Sequence, residues 1–454
     1  MAYDKYIFVM GTRPEIIKLY SLIKEIDKRG LEYYIIWTGQ HSDYNLYTVF
    51  FEEFKLPNPD YDLGINNMHH NSQIANIMVN LSKIIENIRK RSVILSLGDT
   101  NSALATGLTA TKCNIDYIHI EAGMRSFDTS MPEEINRKIL DHIATINFAP
   151  TTNAACNLVF EGIPFYKIKV SGDTLYDVLN MVSHRIKSIS SNLSDNILHN
   201  MPKKYILVTL HRFENTENIR RFKSIIYALN ELAKMDINII FPIHPRTKAK
   251  LKEYNLKDFL CHKNIFLIEP VSYFDFLILL FNSMLVITDS GGVQQEAFVA
   301  GKPCITLRYN TEWIETIINN ANILVGADKD EIIPKVLSML NKNSGISKKI
   351  ANKVLGGGKS AEIISDIISN QEIIEEIKKL DLKFSNFRDH GIPKFSIISG
   401  ESFVGKDIIT LANNYNILCT KIYRKNQLIP PVYNIKINKN DIIEAIIMNN
   451  DKTI

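Results

Sequence analysis

Short apolar segments alternate with longer amphipathic ones through the first part of the chain. The apolar segments are KYIFVMG, LEYYIIWTG, SVILSLGD, IDYIHIEAG and TINFAPT, and a helix-length stretch separates each from the next. This alternation is typical of βα units, in which successive strands lie parallel in one sheet and helices cover its faces. The pattern therefore predicts an α/β domain over residues 1–185.

A polar stretch rich in Ser and Asn interrupts the alternation at residues 186–204 and is predicted to be a linker. The alternation then resumes with YILVTLH, INIIFPIHP, NIFLIEPV and MLVITDSGG, which predicts a second α/β domain over residues 186–358. We expect two Rossmann-like, doubly wound domains that face each other across a cleft, with ligands bound at the carboxyl ends of the strands.

The last part of the chain has a different pattern. The segment KSAEIISDIISNQEIIEEIKKL, at residues 359–380, has the periodicity of a helix. Residues 392–454 follow a polar segment that contains Gly and Pro, and they are rich in strand-forming residues. We predict a small α+β domain there.

Composition excludes several classes of protein. The 53 basic and 49 acidic residues are spread along the chain, so we expect neither nucleic-acid nor membrane binding. The five cysteines lie far apart without CxxC spacing, which argues against a zinc site and a disulfide framework. The apolar runs are too short for a signal peptide or a membrane span, which favours a cytoplasmic protein.

The first candidate site is the segment FVMGTRPE, a strand followed by a glycine turn and Arg13. Pro14 suits the first turn of a helix, and a cation beside the free N–H groups of a helix start can bind an anion. The alternative is a Gly-Pro connector that carries a solvated arginine.

A stronger signal is LVITDSGGVQQEA, a strand, a Gly-Gly turn and a helix. Gly291 and Gly292 lack Cβ atoms, so that backbone N–H groups can approach a phosphate, and Ser290 can donate its hydroxyl. Glu296, about one turn into the helix, can accept hydrogen bonds from a ribose diol.

Two further strands each end in a histidine followed closely by an arginine. They carry His211 and Arg212 in VTLHRFEN, and His244 and Arg246 in FPIHPRT. A single histidine on a strand is more often a core residue than a functional one. Because two such segments end at equivalent places, we expect these side chains to point into the same cleft as Ser290.

Carboxylates follow the strands and helix starts of the first domain. They are Asp99 in GDTNS, Glu121 in HIEAG and Glu133 in PEEINR. Carboxylates near a cationic cleft suit acid/base catalysis, because burial and neighbouring charges can separate their pKa values. A purely structural role as helix-start charges accounts for one acid of the pair Glu133 and Glu134, but not for Glu121 or Asp99.

With these residues the chain strongly resembles the non-hydrolysing UDP-N-acetylglucosamine 2-epimerase family, over about residues 5–375. The matching motifs, all in order, are GTRPEIIK, TGQH, GDTNS, HIEAGMRS, PEEINR, TLHRFEN, HPR, TDSGGVQQEA, GKP and TEWIE. The resemblance implies a glycosyltransferase-B-like pair of domains, with the helix at 359–380 packing back on the first of them. It also implies a homodimer, no metal and no redox cofactor.

The resemblance implies a reaction in which UDP leaves C1 as a carboxylate removes the C2 proton, followed by re-addition of UDP to a 2-acetamidoglucal. UDP-GlcNAc and UDP-ManNAc, precursors of surface polysaccharides, are the expected sugars. The implied catalytic residues are Asp99, Glu121, Glu133 and His211. The implied substrate-binding residues are Arg13, Lys18, Arg137, Arg212, His244, Arg246, Ser290, Gly291, Gly292, Glu296 and Arg308.

The resemblance leaves the sugar open. A hydrolysing branch would have GDR and a glycine-rich segment where this chain has GDT and EAG, so we favour epimerisation without hydrolysis. At the family's allosteric motif the chain keeps Gln40 and His41 but has Ser42 and Asp43 next, which argues against activation by substrate there. The same region is similar to the branch that epimerises UDP-2,3-diacetamido-glucuronate, which stays a close alternative.

The tail resembles the RCK-C family of small ligand-sensing modules in GESFVGKDIITL, IYRKNQLIPP and INKNDIIEAI. Asn440 stands where that family has a glycine, and both residue types tolerate a positive φ. The resemblance implies that the tail dimerises the protein or binds a small effector, with Arg424 and Lys425 as candidate contacts to an anion. A solvated hairpin is the alternative for those two side chains.

Two functions from other classes are alternatives to an epimerase. A type-B glycosyltransferase would share the domain pair and the nucleotide site but would not need acids around the sugar C2. A catalytically silent nucleotide-sugar sensor would account for the tail but would not require the full set of carboxylates and arginines.

Overall fold

The computed structural model describes residues 2–40, 51–66, 68–88, 91–189, 201–341, 348–385, 394–399, 403–408, 410–411, 417–425, 427–429 and 435–447. His41, Ser42 and Asp43 of the allosteric motif lie outside these ranges. The chain forms two compact units: the first is Met1–Val178 with Gly358–Ile454, and the second is Leu179–Gly357. The domain limits expected from the sequence, 185/186 and 358/359, stay predictions.

The first unit contains a parallel sheet of seven strands in the order β3-β2-β1-β4-β5-β6-β7. Its strands are β1 Lys5–Met10, β2 Tyr33–Trp37, β3 Tyr61–Asp62, β4 Ser92–Leu97, β5 Asp116–Ile120, β6 Ile146–Ala149 and β7 Ile168–Val170. Every residue of β1 is buried, as expected for a central strand with helices on both faces of the sheet.

The helices that follow these strands are α1 Arg13–Lys28, α2 His70–Asn87, α3 Asn101–Lys112, α4 Pro132–Ile143, α5 Thr152–Phe160 and α6 Thr174–Ile189. Helix α1 starts after Thr12, with Pro14 in its first turn as predicted. Glu15 accepts hydrogen bonds from the backbone N–H and the hydroxyl of Thr12, which stabilises this start. The first turn of α1 therefore comes directly after the carboxyl end of β1.

The second unit repeats the arrangement with six parallel strands in the order β10-β9-β8-β11-β12-β13. They are β8 Ile206–Thr209, β9 Ile239–Pro242, β10 Ile265–Ile268, β11 Leu285–Thr288, β12 Cys304–Thr306 and β13 Asn322–Leu324. The helices are α7 Phe213–Thr216, α8 Ile219–Lys234, α9 Pro245–Glu253, α10 Tyr273–Asn282, α11 Gly291–Val299, α12 Ile314–Ile318, α13 Lys329–Asn341 and α14 Lys348–Val354. Both sheets thus have the Rossmann strand order, whose switch points lie between β1 and β4 and between β8 and β11.

Two helical segments differ from expectation. The first part of the predicted linker belongs to α6, which continues to Ile189 because Val182, Ile186 and Ile189 keep the helical spacing of apolar residues. The helix expected at 359–380 is two helices, α15 Ser360–Ser369 and α16 Gln371–Ser385. The break falls at Asn370, whose side chain accepts hydrogen bonds from the first N–H groups of the second helix.

Helix α15 packs on α1 within the first unit. Arg29 pairs with Asp366 at 2.7 Å, and the N–H of Ala2 donates to the carbonyl of Ser369. Between the two units the returning chain runs through Gly356, Gly357 and Gly358, all with positive φ.

The tail contains an antiparallel sheet in the order β14-β17-β15-β16, made of β14 Lys394–Ser399, β15 Ile417–Arg424, β16 Gln427–Ile429 and β17 Ile442–Ile447. Asn440 has a φ of 67°, as its residue type allows. Arg424 donates from Nε and Nη2 to the buried carboxylate of Asp441 at 2.9 Å, so its guanidinium stabilises the turn before β17. Lys425 is exposed in the turn that follows β15.

In the ranges that the structure describes, no helix is both long enough and apolar enough to cross a lipid bilayer.

Candidate active site

Three predicted residues follow neighbouring strands of the first sheet. Arg13 comes after β1, Asp99 after β4 and Glu121 after β5, and these strands are adjacent in the order β1-β4-β5. The carboxyl ends of parallel strands lie at one edge of the sheet, so this edge collects the charges that the sequence indicated. Arg13 is exposed at the start of α1.

Lys18 and Glu121 form an ion pair at this edge. The Lys18 Nζ lies 2.5 Å from the Glu121 Oε2, and both side chains are largely buried. Burial acts to lower the pKa of Lys18, but attraction to Glu121, Asp173 and Asp99 outweighs it and leaves the pKa raised. Lys18 is therefore a fixed positive charge beside the Glu121 carboxylate.

The backbone of Glu121 is strained. Its φ is 67°, a left-handed conformation that costs about 1–2 kcal/mol for a residue other than glycine. Two residues later Gly123 has a φ of 79°, and a Cβ there would lie 2.2 Å from the carbonyl oxygen of Ala154. Only glycine fits, so the EAG segment forms one tight turn that fixes the direction of the Glu121 side chain.

Arg137 of α4 holds the second carboxylate. Its Nε lies 2.8 Å and its Nη2 2.5 Å from the Asp99 Oδ2, while its Nη1 donates to the Glu134 Oε2 at 2.8 Å. The Asn136 amide donates to the Asp99 carbonyl at 2.8 Å. The PEEINR segment thus fixes Asp99 through both its side chain and its backbone.

The two adjacent acids of that segment have different surroundings. Glu134 is buried and accepts hydrogen bonds from the N–H groups of Ser126 and Phe127. Burial acts to raise the pKa of Glu134, but the Ser126 N–H and Arg137 outweigh it, and the pKa is lowered. Glu133 is half-buried and makes no side-chain hydrogen bond or ion pair within the described part of the chain. Glu133 thus differs from Glu134, whose carboxylate is fixed by its partners.

In the second unit, Asp289 after β11 fixes the segment after β8. Its buried carboxylate accepts from the backbone N–H groups of His211, at 3.1 Å, and Arg212, at 2.8 Å, and from the Asn215 amide at 3.2 Å. The His211 Nδ1 lies 3.3 Å from the Asp289 Oδ1. Burial acts to raise the pKa of Asp289, but His211 and these donors outweigh it and lower the pKa.

The other histidine segment lies next to the first. The His211 and His244 ring centroids are 5.5 Å apart, and the Arg246 Nη1 donates to the His211 carbonyl at 3.1 Å. His244 is also the N-cap of α9 and accepts from the Arg246 N–H. The structure therefore brings these three predicted residues and Arg212 together beside Asp289.

Helix α11 begins at Gly291, after its N-cap Ser290, so the predicted Gly-Gly segment supplies the first N–H groups of a helix. Arg308 lies close by and is almost fully buried. It donates to both carboxylate oxygens of Glu312, at 3.1 and 3.0 Å. A Cβ on Gly291 would approach Glu312 to 3.4 Å, which places this ion pair beside the helix start.

Glu296 is mostly buried in α11 and accepts a hydrogen bond from the Tyr273 hydroxyl at 2.9 Å. Its role in ribose binding stays a prediction, as do the other assigned roles.

A model of the UDP-N-acetylglucosamine 2-epimerase family matches residues 24–369. The UDP-N-acetylglucosamine 2-epimerase of Methanocaldococcus jannaschii is 45% identical over 370 residues, which cover 80% of this chain and 99% of the relative. The chain belongs to the UDP-N-acetylglucosamine 2-epimerase family. The family and the enzyme class predicted from the motifs, an epimerase, are confirmed.

Two further comparisons refine the picture of this epimerase. The UDP-2,3-diacetamido-2,3-dideoxy-D-glucuronate 2-epimerase of Pseudomonas aeruginosa is 37% identical over 368 residues, which cover 80% of this chain and 99% of the relative. The crystal structure of the Methanocaldococcus jannaschii UDP-GlcNAc 2-epimerase in complex with UDP-GlcNAc and UDP has a TM-score of 0.71 at 43% identity, with the same coverage. The predicted glycosyltransferase-B-like fold with two parallel-sheet domains is confirmed. The family model ends at residue 369, and the RCK-C resemblance of the tail stays a prediction.

Several residues of this epimerase that position the predicted ones were not expected from its sequence. Asp289 and Glu15 are two of them, whereas a structural role for one acid of the pair Glu133 and Glu134 was expected, and Glu134 has such a role. The Glu15 carboxylate is buried and accepts from the Gly11 N–H at 2.9 Å and from the Thr100 hydroxyl at 2.7 Å, which joins the segments after β1 and β4. The Thr-x-x-Glu spacing before α1 was a visible signal for its helix-capping role, but nothing local indicated the contact with Thr100.

Proposed function

We propose that this chain is a non-hydrolysing UDP-N-acetylglucosamine 2-epimerase that interconverts UDP-GlcNAc and UDP-ManNAc. The observation that carries the proposal is the arrangement of two carboxylates after adjacent strands, each beside its own cation: Glu121 with Lys18, and Asp99 with Arg137. The names of the curated relatives support the same reaction.

The proposed chemistry is an elimination followed by an addition. One carboxylate removes the C2 proton while the C1–oxygen bond breaks and UDP leaves with the bonding electron pair, which gives 2-acetamidoglucal. A proton is then returned to C2 on the opposite face, and the UDP oxygen re-forms its bond to C1. The C2 hydrogen has no adjacent carbonyl, so direct deprotonation is too costly, and elimination avoids that cost.

The three acids fit this need in different ways. Glu121 and Asp99 are fixed by ion pairs and by tight backbone turns, so their carboxylates are held in defined positions before substrate binds. Glu133 has no such partner within the described residues and is the more adaptable group. We propose that proton transfer at C2 is divided among these three side chains.

In the second unit, we propose that the start of α11 with Ser290 and Gly291 binds a phosphate of UDP, because helix-start N–H groups favour an anion. His211, Arg212 and Arg246 supply positive charge and hydrogen-bond donors for the diphosphate, which stabilises the leaving group. Glu296 is proposed to bind the ribose.

Proton NMR of UDP-GlcNAc incubated with the purified protein in D₂O tests this proposal. We expect UDP-ManNAc to appear with deuterium at C2 in both sugars. Release of free ManNAc and UDP as the main products would instead indicate hydrolysis. Absence of any turnover and of any C2 exchange would contradict the proposed substrate.

A second candidate substrate is UDP-2,3-diacetamido-glucuronate, which is favoured by the 37% identity to the Pseudomonas aeruginosa enzyme named for it. The same assay with this sugar distinguishes the two. Turnover of the diacetamido-glucuronate with a kcat/KM at least tenfold above that of UDP-GlcNAc would assign it as the substrate.

We further propose that the protein works as a homodimer and that the module at residues 392–454 binds a small effector or strengthens the dimer. Support comes from its place outside the family match and from its own antiparallel sheet. Arg424 is held by Asp441, so we propose Lys425, exposed in the same turn, as the better candidate for contact with an anion.

A further inference from the structure

A fully buried histidine lies directly behind the turns that carry Asp99 and Glu121. His119 is on β5, and its side chain has no exposure to solvent. Its Nδ1 lies 2.7 Å from the Asp141 Oδ1, and its Nε2 lies 2.8 Å from the carbonyl oxygen of Gly98. A carbonyl oxygen only accepts hydrogen bonds, and so does an ionised carboxylate. Both ring nitrogens must then donate, which makes the ring an imidazolium.

The charges around the ring support this state. The Asp141 Oδ2 also accepts from the Arg125 Nη2 at 2.6 Å, and Arg125 donates from Nε and Nη2 to Glu161 at 2.8 and 2.5 Å. With a positive His119, each carboxylate of the cluster has a cation as partner and each cation a carboxylate. Buried ions are tolerated only when they are paired in this way.

Arg125 favours the ionised form of Asp141 independently of the state of His119, because a guanidinium keeps its charge. Burial acts to raise the pKa of Asp141, but His119 and Arg125 outweigh burial, and the pKa is lowered. The alternative of a neutral ring would require a protonated Asp141 that donates to Nδ1 and still accepts from Arg125. That arrangement would leave Arg125 facing a single full charge, on Glu161.

His119 and Asp141 of this cluster hold the two turns that carry Asp99 and Glu121. Gly98, whose carbonyl accepts from His119, immediately precedes Asp99. On the other side, the Asp141 carboxylate accepts from the Gly123 N–H at 3.2 and 3.3 Å. Gly123 closes the strained turn that starts at Glu121. The buried pair of His119 and Asp141 therefore joins the two segments that carry the acids.

We propose that His119 is an imidazolium positioning residue that holds Asp99 and Glu121 in their reactive arrangement, through the Gly98 carbonyl and through Asp141. The catalytic part of this inference rests on the function proposed above, whereas the charge state of the ring does not. His119 contacts the Gly98 carbonyl and Asp141, so it positions the two acids through the backbone next to them.

The charge state is tested by NMR on the wild-type protein, deuterated and labelled with ¹⁵N-histidine, at pH 7.5. The His119 signals are assigned by their loss in His119→Asn. We expect both ring nitrogens of His119 to have the ¹⁵N shifts of an imidazolium, each with a directly bonded proton. A neutral tautomer, with one nitrogen lacking its proton, would overturn the proposed charge state.

The positioning role is tested by amide hydrogen exchange in His119→Asn, which needs no substrate. We expect exchange to rise at least tenfold in the segments 97–99 and 121–124 and to stay unchanged in the second unit. His142→Asn is the matched control, because His142 is exposed on α4 and, among the described residues, bonds only to a carbonyl of its own helix, that of Lys138. Unchanged exchange in both segments would overturn the positioning role.

Kinetics then connect positioning with catalysis. In His119→Asn we expect kcat for C2 exchange to fall at least tenfold while KM for UDP-GlcNAc stays within about twofold, because the second unit's nucleotide-binding residues are untouched. A folded His119→Asn with wild-type kcat would contradict the catalytic part. If the wild-type protein itself turns over no UDP-GlcNAc, the proposed substrate fails, and the NMR and exchange measurements still decide the inference.

Discussion

The Lys18 Nζ lies 2.5 Å from the Glu121 Oε2, although 103 residues separate the two in the sequence. The motif resemblance assigned Lys18 to the diphosphate. Its position beside Glu121 points to a second role, in which a fixed ammonium orients the carboxylate. The two roles make different predictions.

We predict that Lys18→Met lowers kcat by about 10²-fold or more, because the Glu121 carboxylate loses its only described cation partner. If Lys18 acts through Glu121, the double variant Lys18→Met/Glu121→Gln is no slower than Glu121→Gln alone. Steady-state kinetics of the three variants measure this coupling.

Lys28→Met is the control, since Lys28 is exposed at the end of the same helix and its one ion pair in the described part of the chain is with Glu25. It should keep wild-type kinetics. If the effects of Lys18→Met and Glu121→Gln multiply in the double variant, Lys18 acts independently of Glu121, as a diphosphate ligand would.

Two neighbouring acids give a second prediction. Glu134→Gln should lower the unfolding temperature by several degrees, because an amide cannot accept from Ser126 and Phe127 and also from Arg137; the expected loss is about 1–3 kcal/mol. Glu133→Gln should leave the unfolding temperature unchanged and lower kcat by about 10²-fold or more. Thermal denaturation and the C2-exchange assay measure the two effects.

The two variants serve as controls for each other, since they make the same chemical change one residue apart. An equal drop in unfolding temperature for both would show that Glu133 is structural as well. Wild-type activity of Glu133→Gln would remove it from the catalytic set.

The third prediction concerns pH. Asp177 on α6 accepts from the Ala361 N–H at 2.7 Å, and burial raises its pKa from 3.8 to about 6. The folded chain therefore binds this proton more tightly than the unfolded chain, so stability falls as pH rises between about 4 and 6 and is then constant. The full effect is about 3 kcal/mol.

Asp177→Asn removes this dependence while it keeps an oxygen for the Ala361 N–H. We expect the unfolding temperature of the variant minus that of the wild type to be larger at pH 8 than at pH 4.5. Asp330→Asn, at an exposed position on α13, is the control and should show the same difference at both pH values. A gap between Asp177→Asn and wild type that does not change with pH would contradict the raised pKa.

The fourth prediction concerns the tail. A chain ending after Ser385 keeps α16, whose Asp381 accepts from the Tyr166 hydroxyl at 3.1 Å and pairs with Lys167 at 3.0 Å. We expect this truncated enzyme to retain C2 exchange but to lose an effector response or to dissociate at a higher protein concentration than the full chain.

Analytical ultracentrifugation and kinetics of both forms, with and without nucleotide-sugar effectors, measure this. Lys425→Ala in the full chain is the matched variant for an anionic effector. Identical assembly and kinetics in the truncated and full-length chains would contradict a regulatory or dimerising tail.

Much of the fold could be predicted because its signals are local. Alternating apolar segments predicted both parallel sheets, and the turn residues predicted where the chemistry begins: Pro14 lies in the first turn of α1, and Gly291 opens α11. Each signal depends on backbone preferences within a few residues. Local patterns did not predict where one helix ends and the next begins when a single polar side chain determines it. Asn370 is the example, because it divides one predicted helix into two.

The sequence by itself determined the family, the strand and helix order and the identity of the charged residues at the strand ends. Only the tertiary structure decided which charges pair. Lys18 meets Glu121 because only β4 lies between β1 and β5 in the first sheet. Asp289 fixes His211 from 78 residues away because β8 lies next to β11 in the second. His119 is a further residue whose type is given by the sequence and whose contacts are decided by the fold. Its residue type is visible in the motif, but the two groups that its ring contacts come from the end of β4 and from α4, and only the fold brings them to it.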